Sequence, residues 1–180
     1  LGKDESKVEV FTVYGKDGSS HQVTITINGA DDQSTITVTG TDKDAGAVTE
    51  DVDTNPAEAG VQLTVGGHLT ISDADQNDKP AFDTTKVGAP QGALGSLTIT
   101  ETGTWSYSVD NSKVQYLGEG ETKVETFTVQ SVDGTEHTVT ITITGSEDVA
   151  QLSSDSKTLT ESDAVLSTGG QLVLTDLDAT

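Results

Sequence analysis

The chain has 180 residues, 30 of them acidic and 9 basic, for a formal charge of −21. That balance excludes ordinary nucleic-acid binding, which needs clustered Lys and Arg along phosphates, and it disfavours docking on anionic lipid. Cysteine is absent, which removes disulfides, thiolate metal sites and Cys nucleophiles together.

A hydrophobic content of 32% with high net charge is the composition of many disordered chains. The patterning here argues for order. Phe11-Thr12-Val13 and Val23-Thr24-Ile25-Thr26-Ile27 alternate apolar and polar residues around Asp17-Gly18. Such alternation is the mark of half-buried strands. Asp-Gly between two such runs predicts a primed two-residue hairpin turn. Further along, Leu69-Thr70-Ile71 and Leu97-Thr98-Ile99 repeat the pattern. Trp105 and Tyr107 then share a face with Val109. They are expected to anchor a core, although an exposed Trp105 would instead offer a platform for sugar stacking. Phe127-Thr128-Val129 and Val139-Thr140-Ile141-Thr142-Ile143 flank Asp133-Gly134 as a second hairpin. No segment sustains helical spacing, and none approaches the roughly 20 apolar residues of a membrane span. No Sec-type signal lies within the sequence. The fold class is all-β, a set of antiparallel β-sandwich repeats.

The two hairpins are copies of one another. Leu1-Gly2, Phe11, Asp17-Gly18, His21, Val23 and Gly29 return as Leu117-Gly118, Phe127, Asp133-Gly134, His137, Val139 and Gly145. Thr49-Glu50 returns as Thr160-Glu161, Gly67-His68-Leu69 as Gly170-Gln171-Leu172, and Asp73-Ala74-Asp75 as Asp176-Leu177-Asp178. A period near 100 residues matches one sandwich domain. Residues 1-29 are therefore the last strands of one repeat, 30-148 a complete repeat, and 149-180 the opening strands of a third. The partial repeats expose half-cores. They are expected to pack on the central domain or on neighbouring chains, or to be completed by further sequence.

The order of these motifs resembles the VCBS repeat, a cadherin-like or Ig-like module of giant bacterial RTX adhesins. The resemblance runs through Val48-Thr49-Glu50-Asp51 and Gly67-His68-Leu69-Thr70-Ile71-Ser72-Asp73-Ala74-Asp75. It continues in Leu94-Gly95-Ser96-Leu97-Thr98-Ile99 and Gly103-Thr104-Trp105-Ser106-Tyr107-Ser108-Val109-Asp110-Asn111. Val114-Gln115-Tyr116-Leu117, Glu125-Thr126-Phe127-Thr128-Val129 and Val139-Thr140-Ile141-Thr142-Ile143-Thr144-Gly145 complete it. The family often closes on Gly-Thr-Asn-Asp, where this chain has Gly145-Ser146-Glu147-Asp148 and Gly29-Ala30-Asp31-Asp32. The resemblance implies an extracellular location on the bacterial cell surface, type I secretion, calcium dependence, and a role in adhesion and biofilm formation.

Acidic pairs at equivalent places carry the sharpest chemistry. Asp73 with Asp75, and Asp176 with Asp178, end equivalent strands. Residues i and i+2 on extended backbone share a face, so both carboxylates can approach one ion. Ca²⁺ suits them, since it takes 6–8 hard oxygen ligands. Glu50 with Asp51, and Glu161 with Asp163, could add oxygens, and Asp32 and Asp148 lie just past a last strand. Two junctional sites are expected, one from Asp32, Glu50, Asp73 and Asp75, the other from Asp148, Glu161, Asp176 and Asp178. Asp42-Lys43-Asp44 is a third acidic pair without a later equivalent. Asp73 to Asp78 starts like an EF-hand loop, but Asp78 stands where Gly is required and Thr84 where Glu is required. All these acids can also be read as turn formers and solvated surface charge.

No nucleophile elbow or His-Glu-x-x-His motif is present. His21 and His137 recur as repeat features, so the chain is read as a non-enzyme. The expected function is a Ca²⁺-rigidified extender, with neighbouring repeats of the same polypeptide as partners. A glycan- or protein-binding module is one alternative. A self-assembling matrix or filament subunit, whose partners are other copies of the chain, is the other.

Overall fold

The computed structural model describes residues 1–50, 60–75 and 77–178. It is built from short strands, and its only helical element among the described residues is one 3₁₀ turn at Asn111–Lys113. Strand β1 (Ser6–Tyr14) pairs with β2 (Ser20–Asn28) as an isolated antiparallel hairpin. The central domain stacks two sheets. One has the order β4 (Ala45–Thr49), β11 (Glu136–Thr144), β10 (Thr122–Ser131), β7 (Phe82–Gly88). The other has the order β5 (Gln62–His68), β9 (Thr104–Asp110), β8 (Ser96–Ile99). A short ladder joins β3 (Thr35–Thr37) to β6 (Thr70–Ser72). Beyond the domain, β12 (Gln151–Leu152) pairs with β13 (Leu174–Thr175). This last ladder repeats the first in miniature: Leu152 faces Leu174 as Ile36 faces Ile71.

One pairing departs from the all-antiparallel expectation. β4 runs parallel to β11, with Thr140 beside Ala45 and Thr144 beside Thr49. The hairpin turns also differ from expectation. A type I′ turn needs positive φ at both central residues and a type II′ turn at the first, yet in each loop only the glycine, Gly18 or Gly134, has it, one residue after the aspartate. Gly15 N–H donates to Ser19 O at 2.7 Å and Gly18 N–H to Gly15 O at 3.0 Å. This is a three-residue loop whose glycine forms the bulge. Ser131 to Thr135 repeats it.

The core follows the alternation. Trp105, Tyr107 and Val109 of β9 are buried against Phe127, Val129, Val139, Ile141 and Ile143 of the facing sheet. Trp105 is 1% exposed, and its Nε1–H donates to Lys43 O at 2.7 Å. Burial excludes this ring as a sugar platform. Its indole lies where a Cβ on Gly67 would come within 2.6 Å of Cζ2, so glycine at that β5 position gives the ring its space. Tyr107 meets Phe127 edge-on, with centroids 5.7 Å apart, and its hydroxyl donates to Glu125 Oε2 at 2.9 Å. Burial, and then Glu125, push the phenol above its ordinary range. Glu125 is itself buried and accepts Leu94 N–H at 2.6 Å.

The flanking hairpin has the same sequence pattern and a different fate. Phe11 is 49% exposed where its equivalent Phe127 is wholly buried. Val13, Val23, Ile25 and Ile27 are likewise exposed. The hairpin meets the central domain at the turn before β1, and its apolar face is not packed on that domain.

Candidate metal centre at the domain junctions

Each hairpin is preceded by a turn that presents a glutamate. Glu5 N–H donates to Gly2 O at 3.1 Å and Glu121 N–H to Gly118 O at 2.9 Å. Both turns need a left-handed residue, supplied by Asp4 at φ 66° and by Gly120 at φ 77°. The glutamates reach back: Gly2 N–H donates to Glu5 Oε2 at 2.9 Å, and Gly118 N–H to Glu121 Oε2 at 3.3 Å. The strand closing each hairpin ends on a glycine in contact with that turn. A Cβ on Gly29 or on Gly145 would run into the Leu1 or Leu117 carbonyl.

Onto each turn is laid the Asp-x-Asp of the following module. Asp75 lies against Gly2, and Asp178 against Gly118. The linker then bonds to the second aspartate. Asp32 N–H donates to Asp75 Oδ2 at 2.9 Å, and Asp148 N–H donates to Asp178 Oδ2 at 3.2 Å. Two junctions are thus built alike, from residues far apart in sequence. The Asp32 amide is the main influence holding Asp75 below the ordinary carboxylate range.

At the first junction carboxylate oxygens of Asp31, Asp75 and Asp78 lie within 4.8 Å of one another. Desolvation, then the charges of Asp75, Asp73, Asp31 and Glu5, raise Asp78 above its ordinary value. Glu5 also accepts from Asn77 Nδ2. Asp73 turns differently from Asp75: its Oδ1 accepts Asp75 N–H at 2.9 Å and its Oδ2 accepts Ser34 Oγ–H at 3.2 Å. The shared-face geometry expected for Asp73 and Asp75 therefore gives way to a local turn, and the carboxylates gathered with Asp75 are those of Asp31 and Asp78. Ser34 leads on to Asp133, whose Oδ2 accepts Ser34 N–H at 2.6 Å. Asp133 is partly desolvated, yet bonds from Ser131, Ser34 and Thr135 hold it well below the carboxylate range. A cleft of about 260 Å³ is lined by Asp31, Asp32, Asp73, Asp78 and Asp133 with Ser34, and also by Lys79, Pro80 and Val132.

The second junction gathers Asp148, Asp176 and Asp178. Asp176 Oδ1 is buried and takes no hydrogen bond from any donor among the described residues. The side-chain contact between them raises Asp176 and lowers Asp178, and the charge of Asp148 raises Asp176 further. A desolvated carboxylate pressed against a second one is relieved by a cation between them, and hard oxygens of this kind fit Ca²⁺.

The remaining expected ligands fall as follows. Glu50 is not at the first junction. It is buried at the end of β4, where its Oε2 accepts Ser146 N–H at 3.3 Å and its carbonyl accepts Ser146 Oγ–H at 2.8 Å. The parallel pairing of β4 with β11 carries it to the end that holds Asp148. Its repeat equivalent Glu161, and Asp163 with it, lie in an exposed irregular segment. Asp51 lies outside the described residues. Asp42 and Asp44 do not act together. Asp42 Oδ1 is 2.9 Å from His68 Nδ1 and its Oδ2 accepts Thr70 Oγ1–H at 2.7 Å, whereas Asp44 Oδ2 is 3.3 Å from His137 Nε2. The Thr70 and His68 bonds bring Asp42 down to about 2. Sequence reasoning missed Glu5, Asp31, Asp78 and Asp133 at the first junction. Repetition was the available signal for Glu5, which returns as Glu121.

No helix among the described residues is long and apolar enough to cross a membrane. No curated protein matches the chain. Among solved structures it is similar to the crystal structure of the S-layer protein SbsC domains 4 and 5. The identity is 13%, over 78% of this chain and 71% of that one, with a TM-score of 0.34. So low a score supports no statement about this chain. The sandwich of residues 30–145 matches the family model of the bacterial cadherin-like domain, and the chain belongs to that family.

Proposed function

We propose that this chain is a calcium-rigidified extender segment of a large bacterial cell-surface adhesin of the VCBS and RTX type. In that setting it holds a distal binding head away from the cell and supports adhesion and biofilm formation. The carrying observation is the doubled junction, in which the amide of Asp32 or Asp148 bonds the second aspartate of the following module. A structure that repeats its interdomain contact repeats its interdomain angle, which is what a stiff rod requires.

Asp31, Asp75 and Asp78 would hold the ion at the first junction, with Asp73 and Asp133 beside them. Asp148, Asp176 and Asp178 would hold it at the second, with Glu50 close to Ser146. Bound Ca²⁺ supplies positive charge and directional oxygen coordination. The chain's own groups do the rest: linker amides fix Asp75 and Asp178, and the Leu-Gly turns set how closely successive modules approach. With a formal charge of −21, self-repulsion works against compactness. A ligand bound only by the folded state offsets it by RT ln(1 + [L]/Kd), about 2.7 kcal/mol per site at a hundredfold excess over Kd. A low-calcium cytosol would leave the chain loose for export, and the cell exterior would stiffen it.

The test is small-angle scattering and thermal melting of the chain in calcium and in EDTA. Calcium is expected to extend and narrow the distribution of shapes and to raise the melting temperature. Superimposable scattering and melting curves in the two buffers would refute the proposal.

A further inference from the structure

Three stretches of the central domain, far apart in sequence, meet at Ser34. Ser34 precedes β3 and Asp73 follows β6. The ladder between them sets Thr35 opposite Ser72, so antiparallel pairing carries Ser34 to Asp73. The third stretch is the loop joining β10 and β11 of the four-stranded sheet. Ser34 is engaged at all three of its polar groups. Its N–H donates to Asp133 Oδ2 at 2.6 Å, its carbonyl accepts Thr135 Oγ1–H at 3.0 Å, and its Oγ–H donates to Asp73 Oδ2 at 3.2 Å. Only 6% of the residue is exposed.

These contacts extend in both directions. Asp133 is fixed within its own turn, because its Oδ1 accepts Ser131 Oγ–H and Thr135 N–H. Asp73 in turn accepts Asp75 N–H on Oδ1 at 2.9 Å, and Asp75 is gathered with Asp31 and Asp78. A line of hydrogen bonds therefore runs from a hairpin loop, through one serine, to the backbone of an aspartate at the junction. The second junction cannot copy it. With Gly29 to Asp32 aligned on Gly145 to Asp148, the residue equivalent to Ser34 is Ala150. Alanine has no hydroxyl to offer Asp176.

We propose that Ser34 and Asp133 are positioning residues for the cation at the first junction, acting through Asp73 without touching the ion. This role rests on the calcium reading of that junction. Both oxygens of Asp73 are engaged in hydrogen bonds, so Asp73 is the brace and Asp75 the ligand. A carboxylate already held in place loses little freedom when a cation arrives, whereas ordering a loose one opposes binding. Contacts one step removed from the ion change metal affinity by about 10–100-fold. The Asp-Gly loop thereby becomes part of the junction, a role its turn geometry alone does not require.

Calcium titration of the whole isotope-labelled chain, followed residue by residue by heteronuclear NMR, tests this. The Asp32 amide reads the first junction and the Asp148 amide the second, since each bonds the aspartate placed there. Ser34→Ala is expected to raise the CaCl₂ concentration that half-saturates Asp32 by about tenfold. Half-saturation of Asp148, and the melting temperature in EDTA, are expected to stay at the parent's values. Asp133→Ala releases Ser34 from the other side and is expected to act in the same direction. The near-UV signal of Trp105 verifies that the sandwich is intact, and Ser34→Ala alone decides the matter should Asp133→Ala unfold. An unmoved half-saturation at Asp32 in Ser34→Ala overturns the proposal and leaves the calcium reading standing, whether or not melting in EDTA has changed. Equal weakening at Asp148 overturns it as well, because the effect would then be general. A parent chain in which neither amide responds to CaCl₂ overturns both readings.

Discussion

Replacing Tyr107 by Phe isolates one polar contact inside an apolar core. The ring is wholly buried and meets Phe127 edge-on at 5.7 Å, and the substitution preserves that packing. What it removes is the 2.9 Å hydrogen bond to Glu125 Oε2. Glu125 keeps the Leu94 amide at 2.6 Å on Oε1, while its remaining contact, the Gly95 amide at 3.5 Å, is long. A lost hydrogen bond to a charged acceptor costs about 1.5–3 kcal/mol when the acceptor stays buried. For a domain of this size each kcal/mol moves the melting temperature by about 4 °C, so Tyr107→Phe is expected to melt about 6–12 °C lower. Circular dichroism during heating, in EDTA and again in calcium, provides the measurement. The Glu125→Gln variant and the double variant complete a cycle, whose coupling energy should be at least about 1 kcal/mol. The reasoning fails if Tyr107→Phe melts within about 0.5 kcal/mol of the parent, since Glu125 would then be satisfied without the phenol.

Further outcomes follow from other contacts. Gly145→Ala drives a methyl into the Leu117 carbonyl and should destabilise the central domain by about 1–3 kcal/mol; Gly29→Ala, outside the sandwich, should leave that domain's melting unchanged. Asp42 has a folded pKa of about 2 against 3.8 unperturbed. The stability it contributes is present above the unfolded value and is lost as pH falls from about 4 towards 2. An acid titration of Asp42→Asn, followed by far-UV circular dichroism, should therefore show a shallower loss over that interval. Asp75→Asn and Asp178→Asn should each remove one junction's share of the calcium-induced rise in melting temperature. Calorimetric titration should then count fewer bound ions in each variant than in the parent.

What could be read from residues alone follows from how far each feature depends on neighbours in sequence. Alternation along Trp105–Val109 and Val139–Ile143 needs only the pleat, and it assigned the buried face correctly. Internal repetition placed Asp75 and Asp178 in equivalent surroundings. Pairing direction was hidden, because the parallel ladder of β4 on β11 depends on chain crossing and leaves no periodic trace. That ladder is why Glu50 stands at the opposite end of the domain from Asp75. Asp133 was masked by its own turn chemistry: Asp-Gly accounts for the residue without any need for Ser34. Side-chain direction past a strand end is equally invisible, which is why Asp73 and Asp75 diverge.

The parallel register of β4 against β11 has a mechanical consequence. Tension applied along the chain enters the module near its first strands and leaves past Thr144. It pulls β4 and β11 in opposite directions along their common axis. Their hydrogen bonds, from Asp44 and Thr140 to Glu50 and Thr144, then bear the load side by side and must rupture together. A hairpin opened from its loose end breaks one bond at a time. The module is consequently a shear clamp, resisting extension by a geometry that adds no chemical bond.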